Sequence, residues 1–289
     1  FQGNNEKEQE ISLEEAMENA KQSFLVDIKS GFKIIHIDPS ENLEREISVD
    51  KMLERIYELY NFCCTVAKEN KKEVSFEISI GKEDGGVHEI EEIKYAISKM
   101  ECFCTEKNLP KPMFIVIKTG NYVMETKNIG VFEEIIKGQR PNDEQNIKKI
   151  INFCNSKKIM IKEHNADYIS EEALSSHTDI GIHAINVAPE FGVTETKAIL
   201  KWLSDNNFEE IKEKFLDIAF ESNKWKKWII SNSNATKNDK SIISGHYIFS
   251  KDKFQKMINN IEEQEKFNLY VKDAIEKNIL KYLKCLKLI

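Results

Sequence analysis

The chain of 289 residues contains no run of about 18 apolar residues, so nothing in it reads as a membrane-spanning helix. It shows no signal peptide either, and the expected setting is cytoplasmic. Basic residues are in deficit: 42 Lys and Arg stand against 49 Asp and Glu. The resulting charge of -7 argues against a nucleic-acid partner and favours solubility. Six cysteines, at 63, 64, 102, 104, 154 and 285, lack a zinc-finger spacing, and a chain this long needs no covalent staples. They are expected to be reduced and mostly in the core. Neither GxGxxG nor GxxxxGK[ST] follows a predicted strand, so the sequence carries no dinucleotide or P-loop signal. Low-complexity tracts and short repeats are missing too.

What is present describes a globular protein: 40% hydrophobic and 31% charged residues suffice for a real core. Phe1-Gln2-Gly3 resembles the end of a protease-cleavable tag and is set aside. Ser12 and Glu15 form a capping box before a helix with Leu13, Ala16, Met17, Ala20, Phe24 and Ile28 on one face, and Gly31 is its predicted stop. The pattern then alternates. Strands are predicted at 33–38, 73–80, 113–119, 158–164 and 180–187, and helices at 49–70, 88–107, 144–156, 171–176 and 194–204. Beyond 204 the pattern is helical, broken by a polar loop at 231–241. Alternation of this kind predicts a parallel α/β sheet, open or closed into a barrel.

Strand parity then suggests chemistry. In "VSFEISI" the residues Val74, Phe76, Ile78 and Ile80 point one way, and Ser75, Glu77 and Ser79 the other. With the apolar side against helices, Glu77 projects inward, and a lone carboxylate there is costly unless paired. In "KIIHID" Ile35 and Ile37 share one side, His36 and Asp38 the other; Lys162 and His164 also share a side, and Asn186 ends the last strand. Asp38, Glu77, Lys162, His164 and Asn186 are thus expected to converge where parallel strands end, which is where barrel active sites lie. Carboxylate plus imidazole is a ligand set for a divalent metal such as zinc, and Asp38 and Lys162 suit proton handling or an anionic substrate. The bland alternative is a set of buried polar groups that satisfy one another. For the remaining residues the bland reading is kept. His88 opens a helix, His177 sits in a loop, His183 packs against a helix, and Trp225 and Trp228 anchor a helix whose lysines are solvated.

The same stretches resemble a known family. "SGFKIIHIDPSEN" and "VSFEISIGKEDGG" are similar to the fourth and fifth strands of metal-dependent ketose-bisphosphate aldolases, "EHNADYIS" and "GIHAINVAPEFG" to the seventh and eighth. The nearer likeness is to the accessory-subunit group of tagatose-bisphosphate aldolases, and it runs over about 11–254. It implies a (β/α)8 TIM barrel with extra C-terminal helices. Residues 4–289 would form one domain, with the barrel core at about 11–204 and a helical region at about 205–289. It also implies metal-assisted aldol chemistry on a phosphorylated ketose, with zinc as Lewis acid. Carried over residue by residue, Asp38 lies near metal and substrate, Glu77 is the carboxylate near the metal, His164 is a metal ligand and Asn186 holds substrate. Lys162 is a third candidate catalytic residue beside Asp38 and Glu77.

Three departures accompany the likeness. The sixth strand, which should supply a metal-binding histidine, offers Thr119, Gly120 and Asn121, with Asn121 as a further expected substrate contact. The family's glycine-rich phosphate loop is replaced by "NADYIS". The first three strands have no counterpart, and five strands cannot close a barrel, so the expectation is a further N-terminal segment between Gly3 and Asn4. Two functions follow from the resemblance: an active aldolase, or a non-catalytic accessory subunit that supports a catalytic aldolase partner. An epimerase or isomerase on the same barrel is a third, and a homo-oligomer is compatible with each.

Overall fold

The computed structural model describes residues 11–40, 47–81, 84–259, 261 and 263–289; the tag-like residues 1–3 and the junction at Gly3–Asn4 lie outside them. The chain divides into two compact units. The first comprises the residues up to Gly120 with Glu134–His164 and Ile180–Ile185; the second comprises Asn121–Glu133, Asn165–Asp179 and Asn186–Ile289.

Five strands of the first unit, β1 (Ile34–Ile37), β2 (Ser75–Ser79), β3 (Phe114–Ile117), β4 (Met160–Glu163) and β5 (Ala184–Ile185), form one parallel sheet in chain order. The fold is α/β, and this sheet is a parallel half-barrel. Helices α1 (Leu13–Ser30), α2 (Val49–Glu69), α3 (Ile90–Lys107) and α4 (Pro141–Ser156) belong to the same unit. Their ends follow local chemistry. The Ser12 hydroxyl accepts the Glu15 N–H at 3.1 Å, Ser48 does the same for Lys51 at 3.3 Å, and Gly31 ends α1 at φ 93°. One sheet face carries Ile35, Ile37, Phe76, Ile78, Ile115, Ile117 and Ile161, none more than 3% exposed. Burying each such side chain stabilises by roughly 1.5–3 kcal/mol, which locks the parity of every strand. Tyr60 of α2 lies 4.4 Å from the Phe76 ring and donates to the Pro110 carbonyl at 2.9 Å. The opposite face is what remains for Ile34, His36, Glu77, Ser79, Phe114, Met160 and Lys162, in the register Ile34–Ser75, His36–Glu77, Glu77–Phe114 and Phe114–Met160.

The second unit contains α5 (Glu171–Ile180, up to Asp179), α6 (Pro189–Asp205), α7 (Glu209–Glu221), α8 (Lys237–Ser244), α9 (Asp252–Ile258) and α10 (Gln264–Cys285). Its core joins Ile199, Trp202 and Leu203 of α6 to Phe215 and Ala219 of α7, Phe254 of α9 and Phe267 of α10. No helix among the described residues is long and apolar enough to cross a membrane.

Several local expectations change. The polar stretch 231–241 is not all loop: Thr236 and Asp239 form a full capping box that starts α8. The last strand is two residues long, not eight. His183 does not pack against a helix; it is exposed, and its Nδ1 accepts the Ile161 N–H at 3.1 Å. His177 is not in a loop but fully buried in α5, its ring 4.7 Å from Phe132. His88 precedes α3 rather than opening it, since Glu89 is the N-cap. Its Nδ1 accepts the Lys118 N–H at 2.8 Å, and burial pushes its pKa down to about 3. Trp225 and Trp228 lie on a 3-10 turn, Lys224–Trp228, where the indole N–H groups bond the Phe220 carbonyl and the Tyr247 hydroxyl. A two-stranded hairpin, Val123–Met124 with Lys127–Asn128, is additional.

Candidate metal centre

β2 runs between β1 and β3, and its parity aims Glu77 at the face that carries no large apolar cluster. The carboxylate is 1% exposed. Its Oε2 accepts from the Lys162 ammonium at 2.7 Å, which offsets much of the cost of burying a charge. Its Oε1 lies 3.6 Å from His36 Nδ1 and 3.6 Å from His164 Nε2. Both separations are too long for hydrogen bonds. Glu77 Oε1 and His164 Nε2 are accordingly buried with no hydrogen-bond partner. Burial raises the Glu77 carboxyl pKa, but His164, His36 and Lys162 outweigh it and hold the group below the usual carboxylate range.

His36 completes the cluster. Its Nε2 pairs with the Ser79 hydroxyl at 2.9 Å. With Nε2–H donating to that oxygen, Nδ1 presents a bare lone pair toward Glu77. Burial lowers the His36 pKa; attraction to Glu77 and Asp38 opposes this, and His164 and Lys162 add to it. The ring is therefore neutral near pH 7, as a metal ligand must be. The His36 and His164 rings stand edge to face, 5.0 Å apart.

The donor set fits a divalent cation. His36 Nδ1, Glu77 Oε1 and His164 Nε2 all lie within 4.8 Å of one another. Donors about 2.1 Å from a tetrahedral ion stand about 3.4 Å apart, close to the two separations found here. Two orphaned buried atoms facing each other are otherwise hard to account for, because unsatisfied buried polar atoms destabilise a fold.

Glu77, Lys162 and His164 are thus brought together, with His36 as an addition that sequence reasoning left out of the ligand set. The signal was there: His36 has the parity of Asp38 and pairs in register with Glu77. Asp38 is half-buried two residues beyond His36, and its Oδ1 accepts the Ser40 N–H at 3.0 Å. Asn121 and Asn186 belong to the second unit; Asn121 is buried, and the Asn186 carbonyl accepts the Ala166 N–H at 3.1 Å. Sequence reasoning also missed a buried pair in which the Thr119 hydroxyl donates to Glu163 at 2.5 Å.

In the second unit the stretch "NADYIS" has a carboxylate where a glycine-rich loop was looked for. Asp167 Oδ1 accepts the N–H groups of Ala188 and Glu190 at 3.0 and 2.8 Å. Burial pushes its pKa up to about 6, and those backbone bonds pull it the other way. Glu190 Oε2 accepts the Tyr168 N–H at 2.6 Å and the Tyr282 hydroxyl, and its Oε1 accepts from Lys281 at 2.7 Å.

No protein-family model and no curated protein matches the chain. Among solved structures, a probable tagatose 6 phosphate kinase from Sinorhizobium meliloti 1021 is similar with a TM-score of 0.66 and 14% identity, over 96% of this chain and 79% of that one. The fructuronate-tagaturonate epimerase UxaE from Cohnella laeviribosi is similar with a TM-score of 0.56 and 12% identity, over 96% of this chain and 67% of that one. Identities this low speak for a shared fold.

Proposed function

We propose that this protein is a divalent-metal-dependent enzyme of sugar metabolism that moves a proton beside the carbonyl of a hydroxy-ketone, the step shared by aldol cleavage and epimerisation. The observation that carries the proposal is the cluster of His36 Nδ1, Glu77 Oε1 and His164 Nε2, two of whose three atoms, Glu77 Oε1 and His164 Nε2, are buried with no hydrogen-bond partner. When bound there, a divalent ion, zinc by the donor types, supplies Lewis acidity to a carbonyl oxygen. The chain's own residues do the rest. Ser79 holds the His36 ring, and Lys162 holds the second oxygen of Glu77 while its own ammonium keeps partial access to solvent. Asp38 is the half-buried carboxylate positioned by the Ser40 N–H, and we assign it the proton-accepting role. The fold is consistent with this, since both structural relatives bear names from sugar metabolism.

The test is a metal analysis joined to solvent-deuterium exchange on a panel of hydroxy-ketones. Wild-type protein is expected to retain about one zinc or cobalt per chain and to exchange the carbon-bound proton in a chelator-sensitive way. Protein that holds no ion after incubation with either metal would retire the proposal and leave the non-catalytic accessory-subunit reading in its place.

A further inference from the structure

The second unit contains a cavity of about 950 Å³ bounded by α6, α9 and α10. Its floor is apolar: Ile199, Phe254, Ile258, Phe267 and Val271 are buried there, and Ile275 is half-buried beside them. Along α10 the lining residues recur from Gln264 to Ile279 at the i, i+3, i+4, i+7 spacing of a helix side, so one whole face of this helix forms a wall. Ring contacts fix the floor. Phe267 stands edge to face on Trp202 at 5.1 Å, and Phe254 on Phe215 at 5.5 Å. A hollow of this kind is preformed and lies within the range of small-molecule sites, roughly 300–1,000 Å³.

Polar groups surround that floor. The amides of Gln255, Asn259, Gln264 and Asn268 line the cavity together with three charged groups, Glu195, Glu276 and Lys272. Glu195 is half-buried, and burial alone raises its carboxyl pKa; no cation or hydrogen-bond donor among the described residues answers it. Glu190, five residues earlier on the same helix, is by contrast met by Lys281 and Tyr282. A carboxylate stripped of part of its water without a partner is unfavourable. Its desolvation is already in place before any ligand arrives, so an incoming cation gains the attraction without incurring that cost. With two carboxylates to one ammonium, the lining favours a cation over an anion.

The geometry points to a binding site for a small organic ammonium ion, whose apolar body lies against Phe254, Phe267 and Ile275 and whose charged head meets the Glu195 carboxylate. The site is built from the second unit alone and stands independently of the metal centre. A second copy of the chain is the other occupant that an apolar hollow invites. Docked on itself about a two-fold axis, this face would bring Glu195 and Glu276 of both copies together, and like charges oppose that contact.

The test is calorimetric titration of the full chain at pH 7 with three probes of similar shape: 2-phenylethylammonium, 2-phenylethanol and 3-phenylpropanoate. The ammonium should bind saturably and at least about tenfold more tightly than the alcohol, with the carboxylate weakest. Glu195→Gln, which keeps the volume and removes the charge, should bring ammonium and alcohol to equal affinity. No saturable binding of the ammonium, a ranking that does not favour it, or an undiminished preference in Glu195→Gln overturns the inference. Should that variant fail to fold, the wild-type protein still decides. Nuclear Overhauser contacts from the probe's ring protons should reach the methyl groups of Val271 and Ile275, and contacts elsewhere overturn the inference. A dimer in light scattering that Ile279→Asp dissociates would assign the face to a second copy and overturn it as well.

Discussion

Glu77 uses its two oxygens differently: one is tied to an ammonium at 2.7 Å, the other faces two imidazoles and bonds to nothing. Glu77→Gln should therefore keep its volume while weakening cobalt binding by at least about 10–100-fold in calorimetric titration. Unchanged affinity would remove Glu77 from the centre. Ser79→Ala should weaken the same titration about tenfold by freeing the His36 ring, and Ser79→Thr should restore it. His88 yields a prediction in pH. Its unfolded form takes a proton near 6.5, its buried form only near 3, so its contribution is intact above 6.5 and is lost as pH falls through that window. Urea unfolding of His88→Gln should accordingly flatten the fall in stability between those values by up to one proton. Asp167 works in the opposite sense: raised from 3.8 to about 6, it favours folding as pH drops through that interval. A slope unaltered by His88→Gln would show that the ring is charged in the fold.

At the level of elements, glycines separate backbone constraint from packing constraint. Gly31 closes α1 at φ 93° with nothing near its missing side chain, so Gly31→Asn should recover most of the roughly 1 kcal/mol expected to be lost in Gly31→Ala. Gly245 has ordinary helical geometry, but a Cβ there would strike the Thr196 side chain and come within 3.1 Å of Phe215. Gly245→Ala should thus cost about 1–3 kcal/mol in chemical denaturation, and Gly245→Asn no less. Equal losses for the two Asn variants would contradict this division. Legibility followed the same line. The caps at Ser12 and Gly31 are decided within a turn, and the sequence alone reveals them. So does strand parity, because buried isoleucines alternate with polar residues. The hairpin at 123–128 escaped because two-residue strands carry no alternation, and α8 because its residues are polar, although the Thr236–Asp239 spacing was a usable sign. His36 was missed as a ligand because its partner His164 is 128 residues away in sequence, and only the order β1-β2-β3-β4-β5 brings both to Glu77.

For the molecule as a whole, the parallel sheet ends at β1 and β5 among the described residues; β1 begins at Ile34, which is 47% exposed, and Phe32 just before it is 60% exposed. Unpaired edges with apolar side chains promote association. Ile34→Lys is expected to lower concentration-dependent self-association in light scattering with no loss of melting temperature; persistence of the larger species would place the contact elsewhere. Alternation of strands and helices was enough to read the α/β class, whereas the partition into two units was not, because it crosses the chain five times, twice within helices, at points that carry no compositional shift. The arrangement of Glu77 has one more consequence. An ion arriving at this carboxylate finds a single oxygen on offer, since the other is held by Lys162. Calcium, which gathers six to eight oxygens and often clasps a carboxylate by both, would be poorly served, while a small ion content with four donors would not. Living beside abundant alkaline-earth ions, the protein would leave them in solution and wait for the scarcer transition metal.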